Sequence, residues 1–289
     1  MEFFLNLLRS VAYGIIEGVT EWLPISSTGH MILAEQVLKF SFSAEFMEMF
    51  RVVIQLGAIL AVVVLYFKKL WPFCADNGRD SGFSRHFRWP VVRLWCKIIV
   101  ACVPAAVLGL LLDDWLDAHL YNSITVALML IIYGIAFILI ERRPRVPTTT
   151  KLSRITYKQA LIVGAWQVLA LIPGTSRSGS TIIGGLLCGM SRPAASQFTF
   201  FLAIPVMAGA SLLKLVKFFA KGNAFAFNEV VILLVGCLVA FVVSIAAIRF
   251  LMDYVKRHSF TVFGWYRIVL GVIVLAVWAV QQFTAVPAA

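Results

Sequence analysis

Charge is scarce in this 289-residue chain: only 13% of its residues are Asp, Glu, Lys or Arg, while 61% are hydrophobic. A soluble domain carries about 25% charged residues. Together with a mean hydropathy of +0.91, this excludes an ordinary soluble fold and points to an integral membrane protein. Acidic side chains are scarcer still, 14 against 25 Lys and Arg. The resulting formal charge of +11 is not the footprint of a nucleic-acid partner, because basic residues of membrane proteins collect in cytoplasmic loops and fix orientation. The N-terminal MEFFLNLLRSVAYGIIEG lacks a basic leader and a small-residue cleavage site, so no cleaved signal peptide is expected. Cysteine is sparse and unpatterned. Cys96, Cys102, Cys188 and Cys237 sit in apolar runs and Cys74 in a basic loop, which suits small apolar fillers rather than a disulfide framework or a zinc site.

What is present is long apolar sequence. A bilayer-spanning helix needs about 20 mostly apolar residues. Stretches 47–67, 97–112, 123–140, 230–251 and 261–280 qualify, and 198–219 does so despite Pro205. Residues 3–40 and 157–191 are also apolar, but each is interrupted by a proline, Pro24 or Pro173, followed by small and hydroxyl residues, PISSTGH and PGTSRSGST. Proline removes a backbone donor and clashes with the preceding turn, so each region reads as two half-helices around a break.

Loop charges suggest an orientation. Lys68 to Lys97 holds seven Lys/Arg and two Asp, and Glu141 to Lys158 holds six Lys/Arg and one Glu; both are expected to be cytoplasmic. The intervening loop DDWLDAHLYN has three Asp and no Lys or Arg, which suits the other side. Lys214, Lys217 and Lys221 do not fit this scheme, since they fall where it places the external face.

The two broken regions resemble one another: GIIEGVTEWLPISSTG (14–29) aligns with GAWQVLALIPGTSRSG (164–179) with a one-residue gap. SITV (123–126) and SFTV (259–262) open the last span of each half. The expected fold is therefore an all-α integral membrane protein with an inverted-topology repeat. Residues 1–150 and 151–289 form the two halves, with six transmembrane helices and two re-entrant broken helix hairpins in total. Three crossings per half make the second half enter from the opposite face, an architecture that places polar sites near the midplane.

The breaks concentrate the chemistry. Irregular backbone at membrane depth is tolerated where protein buries it or where it lines a wet cavity, and hairpins entering from opposite faces would share one pocket. Glu17 and Glu21, at i and i+4, lie on one helical face. Two carboxylates there repel unless a cation intervenes or one is protonated, which makes them candidate ligands for Mg²⁺ or Ca²⁺. Taken alone the pair also fits a solvated helix end. Ser26, Ser27 and Thr28 after Pro24 fit helix caps, but His30 lies one turn past Ser27, and a histidine base beside a serine hydroxyl is a minimal activated nucleophile. In the second break Arg177 is flanked by Ser176 and Ser178, with Gly174, Gly179 and Thr181 nearby. A guanidinium fork, free N–H groups of a restarting helix and hydroxyls together form an oxyanion clamp. Carboxylates, a nucleophile–base pair and such a clamp suit phosphoryl transfer.

EGVTEWLPISSTGH and PGTSRSGST closely resemble the two signature segments of the BacA-type undecaprenyl-diphosphate phosphatases, and the resemblance extends over essentially the whole chain. It implies a bacterial inner-membrane enzyme whose site opens to the periplasm. That enzyme converts undecaprenyl diphosphate to undecaprenyl phosphate and inorganic phosphate, recycling the lipid carrier of wall synthesis, and its excess confers bacitracin resistance. The family's acidic motif falls on Glu17 and Glu21, its hydroxyl–histidine segment on Ser26, Ser27, Thr28 and His30, and its arginine motif on Ser176, Arg177, Ser178 and Thr181. Ser27 as nucleophile with His30 as proton shuttle is favoured, and direct attack by His30 is the competitor. The partners implied are a polyprenyl diphosphate lipid and the membrane; a homodimer stays open. A lipid-phosphate flippase would use the same anion pocket but has no need of Ser27 and His30 together.

Overall fold

The computed structural model describes residues 1–75, 82–143 and 146–284. Asp76, Arg79, Asp80 and Arg145 of the basic loops lie outside the described residues, as does the end of the second half, 285–289.

The first break separates α1 (Glu2–Thr20) from α2 (Ser27–Val37). Helix α1 buries Ser10, Tyr13, Gly14, Glu17 and Gly18 on one stripe, the i, i+3, i+4, i+7 pattern of an amphipathic helix. Its end is set by Pro24, because the residue before a proline avoids the helical region. Next come α3 (Ala44–Val53) and α4 (Gln55–Leu65), meeting at Ile54, then the short α5 (Phe67–Leu70). Helices α6 (Trp89–Leu120) and α7 (Ser123–Glu141) complete this part of the chain. The second break follows α8 (Tyr157–Val168) and a single 3-10 turn, and precedes α9 (Arg177–Leu187). A capping box starts α8: Gln159 N–H donates to Thr156 Oγ1 at 3.1 Å, and Thr156 N–H donates to Gln159 Oε1 at 3.0 Å, satisfying two orphan groups at once. The chain ends with α10 (Arg192–Ala220), α11 (Phe227–Arg257) and α12 (Thr261–Thr284).

Among the described residues six helical stretches are long and apolar enough to cross a membrane: Ala44–Leu65, Trp89–Leu112, Ser123–Glu141, Arg192–Ala220, Phe227–Arg257 and Thr261–Gln282. The protein is thus an all-α, multi-pass membrane protein. Its β-pairing among the described residues is limited to isolated bridges, Phe73 with Phe87 and Thr149 with Met190. Helix α6 extends beyond the span read from the sequence at both ends, beginning at Trp89 within the first basic loop. Residues 113–120, read as a loop, continue α6. Hydropathy marks where a helix leaves the apolar layer, not where it ends, and no Gly or Pro interrupts this segment.

Helix α1 packs on α11, and α8 on α6; α4 packs on α11, and α10 on α6; α2 touches α12, and α9 touches α7. Each contact has a counterpart with the two halves of the chain exchanged, and α7 and α12 pack on each other. The closest approaches use small residues. A Cβ on Gly14 would lie 2.7 Å from the Gly236 carbonyl, and one on Gly164 would lie 2.4 Å from that of Ala101. On the central pair, Gly134 meets the Gly264 carbonyl and Gly271 that of Ala127 in the same way, at 2.7 and 2.9 Å. In lipid, where tails are as apolar as leucine, such backbone approach is a main source of helix association.

Candidate active site

The two breaks lie against each other inside the bundle. Among the described residues two non-glycine residues have positive φ, Ser26 (71°) and Ser176 (70°), each immediately before its restarting helix. A left-handed conformation strains a residue bearing a Cβ by about 1 kcal/mol or more, so both turns are held by their surroundings. Gly174 (φ +90°) needs no such support, and a side chain there would strike the Val126 backbone at 2.5 Å.

Arg177 opens α9 and reaches across to the first break. Its Nη2 donates to Glu21 Oε1 at 2.7 Å, and its Nη1 to the Thr199 carbonyl at 2.9 Å. The guanidinium lies over the Trp22 ring, 5.8 Å from its centroid. Glu21 Oε2 accepts from the Ser27 hydroxyl at 3.2 Å. The first carboxylate, Glu17, is fully buried beside that of Glu21, and its Oε1 has no partner. Ser26 Oγ and Arg177 Nε are likewise buried and unpartnered. A buried polar atom without a partner costs about 1–3 kcal/mol, so several at one junction mark a place built for a polar ligand.

The hydroxyls of the second break serve the clamp more than they face a ligand. Ser176 Oγ caps α9 by accepting from Gly179 N–H at 3.1 Å and lies 3.1 Å from Ser178 Oγ. Ser178 Oγ also donates to the Leu23 carbonyl of the first break, at 3.4 Å. Thr181 Oγ1 donates to the Arg177 carbonyl at 2.9 Å and accepts from Thr199 Oγ1 at 2.9 Å, bracing the two residues that aim Arg177. Thr28 sits half-buried in the first turn of α2.

His30 is placed differently from the sequence reading. Its Nδ1 lies 2.8 Å from the Ser26 carbonyl and its Nε2 lies 2.7 Å from the Tyr266 hydroxyl. A carbonyl can only accept, so Nδ1 carries the proton and Nε2 accepts from Tyr266. The structure therefore brings Ser27 to Glu21, and His30 to Ser26 and Tyr266.

Arg267 is the residue that sequence reasoning missed. It is wholly buried and has no carboxylate partner among the described residues. Its guanidinium donates to the carbonyls of Pro24 (3.2 Å) in the first break and Gly174 (3.0 Å) and Thr175 (2.8 Å) in the second. The signal was a lone arginine inside the apolar run 261–280, where an ionisable residue is a functional candidate by default.

Glu17 and Glu21 can hold a divalent cation. Among the described residues no three His, Cys, Asp or Glu side chains come together. Mg²⁺, however, is commonly bound by one or two carboxylates plus waters and substrate phosphates, and the free Glu17 oxygen fits that donor set.

The chain matches the family described as "Bacitracin resistance protein BacA" over residues 10–273. It is 59% identical over 277 residues to the undecaprenyl-diphosphatase of Enterococcus faecalis (strain V583), covering 95% of this chain and 98% of that protein. It is 55% identical over 275 residues to the undecaprenyl-diphosphatase of Lactococcus lactis (strain IL1403), covering 94% and 96%. With a family match over residues 10–273 and relatives this similar over more than nine-tenths of the chain, the chain belongs to the BacA family of bacitracin resistance proteins.

Proposed function

We propose that the protein hydrolyses undecaprenyl diphosphate to undecaprenyl phosphate and inorganic phosphate in the bacterial inner membrane. This recycles the lipid carrier of cell-wall synthesis, and excess enzyme confers bacitracin resistance. The observation that carries this reading is the junction of the breaks. There Glu21 joins Arg177, at the start of α9, to the Ser27 hydroxyl, at the start of α2, and Glu17, Ser26 and Arg177 carry buried unpartnered atoms. Helix N-termini and a guanidinium favour a polyanion.

In the first step the Ser27 oxygen attacks the terminal phosphorus, the bond to the bridging oxygen breaks, and the Ser27 proton passes to Glu21, on which it already rests. The lipid monophosphate leaves. Water then attacks the phosphoserine, which returns Ser27 and releases inorganic phosphate. Arg177 neutralises charge on the transferred group, the largest part of the work in phosphoryl transfer. A Mg²⁺ or Ca²⁺ ion on Glu17 and Glu21 would supply further neutralisation of the diphosphate. His30, its tautomer set by the Ser26 carbonyl, keeps the start of α2 in place and presents Nε2 towards Tyr266.

The repeat is read as inverted, with residues 1–150 and 151–289 as its halves. The exchange of partners between halves supports this, as does the pair of strained serines before α2 and α9. The hairpins are then re-entrant, and the charge of the basic loops supports an opening of the site towards the periplasm.

Release of phosphate by the purified protein from a C55 diphosphate, with and without EDTA, tests the reading. Phosphate release that Ser27→Ala abolishes supports it. A protein that releases none but moves lipid phosphate between leaflets is a flippase instead.

A further inference from the structure

A groove separate from the Glu21–Arg177 junction opens at the end of the molecule that carries the first basic loop. It has a volume of about 550 Å³, and its walls include Val63, Phe67, Trp71, Trp95, Ile99 and Ile204. These come from α4, α5 and its exit, α6 and α10. Every lining residue is apolar. The walls are braced: Trp95 Nε1–H donates to the Leu70 carbonyl at 2.8 Å, and Phe67 stacks on Trp71 with ring centroids 5.2 Å apart. Phe67, Trp71, Phe73 and Trp89 are exposed around the mouth, where aromatic residues mark the membrane–water boundary.

The mouth is strongly basic. Lys68 and Lys69 lie on α5 between two lining residues, and Arg85, Arg88 and Arg93 flank the other wall; all five are exposed. Arg88 donates to the carbonyls of Lys68 (2.6 Å) and Trp71 (3.3 Å), which fixes its charge at the rim. From 66 to 97 the chain carries seven Lys and Arg against two Asp, Asp76 and Asp80, both outside the described residues, and none of these cations forms an ion pair among the described residues.

We propose that this groove is a binding site for one anionic phospholipid, with an acyl chain between α4, α6 and α10 and the headgroup phosphate among Lys68, Lys69, Arg88 and Arg93. An apolar slot alone would take any hydrocarbon. The charge at its mouth selects a lipid whose anion sits there, as basic pockets at the ends of membrane helices do. The substrate's prenyl tail meets this requirement less well, because its diphosphate is held elsewhere, by Arg177. A zwitterionic lipid gains nothing from the cations.

The test uses the full-length protein in nanodiscs of phosphatidylcholine containing increasing phosphatidylglycerol, with thermal unfolding and native mass spectrometry as readouts. Phosphatidylglycerol is expected to raise Tm saturably, with lipid retained at one per chain, and added salt should weaken the effect. Replacing Lys68, Lys69 and Arg93 by Gln is expected to lower the affinity for phosphatidylglycerol by about tenfold or more while leaving phosphatase turnover in phosphatidylcholine unchanged. Ile204→Trp, which fills the groove, should abolish retention of either lipid there. The proposal is overturned if phosphatidylglycerol and phosphatidylcholine shift Tm equally, or if the glutamine variant keeps its preference. Loss of C55 lipid affinity in Ile204→Trp with phosphatidylglycerol binding intact would also overturn it, and would make the groove the prenyl channel. None of these outcomes depends on the catalytic reading of Ser27.

Discussion

Arg177 and Glu21 lie 156 residues apart in the sequence, yet their side chains meet at 2.7 Å, one from each broken helix. Both are largely shielded from solvent, with side-chain exposures of 12% and 8%. Removing one partner leaves the other buried and charged, which is strongly unfavourable. Arg177→Lys is therefore expected to fail as a replacement. Lysine keeps the charge but loses the planar fork whose Nη2 meets Glu21 and whose Nη1 meets the Thr199 carbonyl. Turnover should fall about a hundredfold, the usual loss for one oxyanion donor in a dry site, with weaker substrate binding as well. Steady-state kinetics on C55 diphosphate measure it, and a lysine variant at wild-type rate would remove the fork from the mechanism.

Ser27→Ala should separate chemistry from binding. The hydroxyl acts in the transition state, so the rate should drop by orders of magnitude with substrate affinity nearly unchanged. Glu21→Gln should be comparably slow, since it removes the group that accepts the Ser27 proton. Tyr266→Phe should cost less than about tenfold, the worth of one neutral hydrogen bond, because the Ser26 carbonyl still sets the His30 tautomer. A near wild-type Ser27→Ala enzyme combined with a dead Tyr266→Phe enzyme would transfer the nucleophile's role to His30.

Glu17→Gln is expected to cut turnover steeply and to flatten the dependence on Mg²⁺ or Ca²⁺ concentration, since Glu17 Oε1 is an unpartnered carboxylate oxygen of the site. Isothermal titration of the metal alone into the chelated protein gives a second readout independent of turnover. Wild-type activity at full rate in EDTA would exclude the cation.

Arg267→Met should lower Tm by several degrees and abolish activity together. It strands the Pro24, Gly174 and Thr175 carbonyls, each buried acceptor costing about 1–3 kcal/mol. Arg267→Lys should recover part of the stability and little of the rate, because one ammonium cannot span both breaks. A methionine variant with unchanged Tm would show that the latch is dispensable.

Topology is open to thiol labelling in a cysteine-free background. Single cysteines at Arg85 or Arg93 should resist a membrane-impermeant reagent in intact cells, and one at Tyr121 should react. The reverse pattern would invert the orientation.

The six long helices and both breaks were legible in the sequence because each depends on local properties. Hydropathy over about 20 residues decides whether a segment can cross lipid, and Pro24 and Pro173, each followed by small and hydroxyl residues, mark breaks where Pro104 and Pro205, inside α6 and α10, do not. The residue types at the site were legible for the same reason, since carboxylates, hydroxyls and an arginine amid apolar neighbours are conspicuous without any fold. Pairing was not legible. Ser27 and His30 are one turn apart in sequence, yet the left-handed turn at Ser26 sends the Ser27 hydroxyl to Glu21 and the imidazole to Tyr266 on α12. Arg267 shows the limit most clearly. In the sequence it is one cation in an apolar run, and only the packing of α12 against α7 beside both breaks makes it their shared donor. Spacing along one chain determines the face of a helix. Which carbonyls from distant segments are left without donors, and must be met by a buried guanidinium, is decided only when those segments pack together.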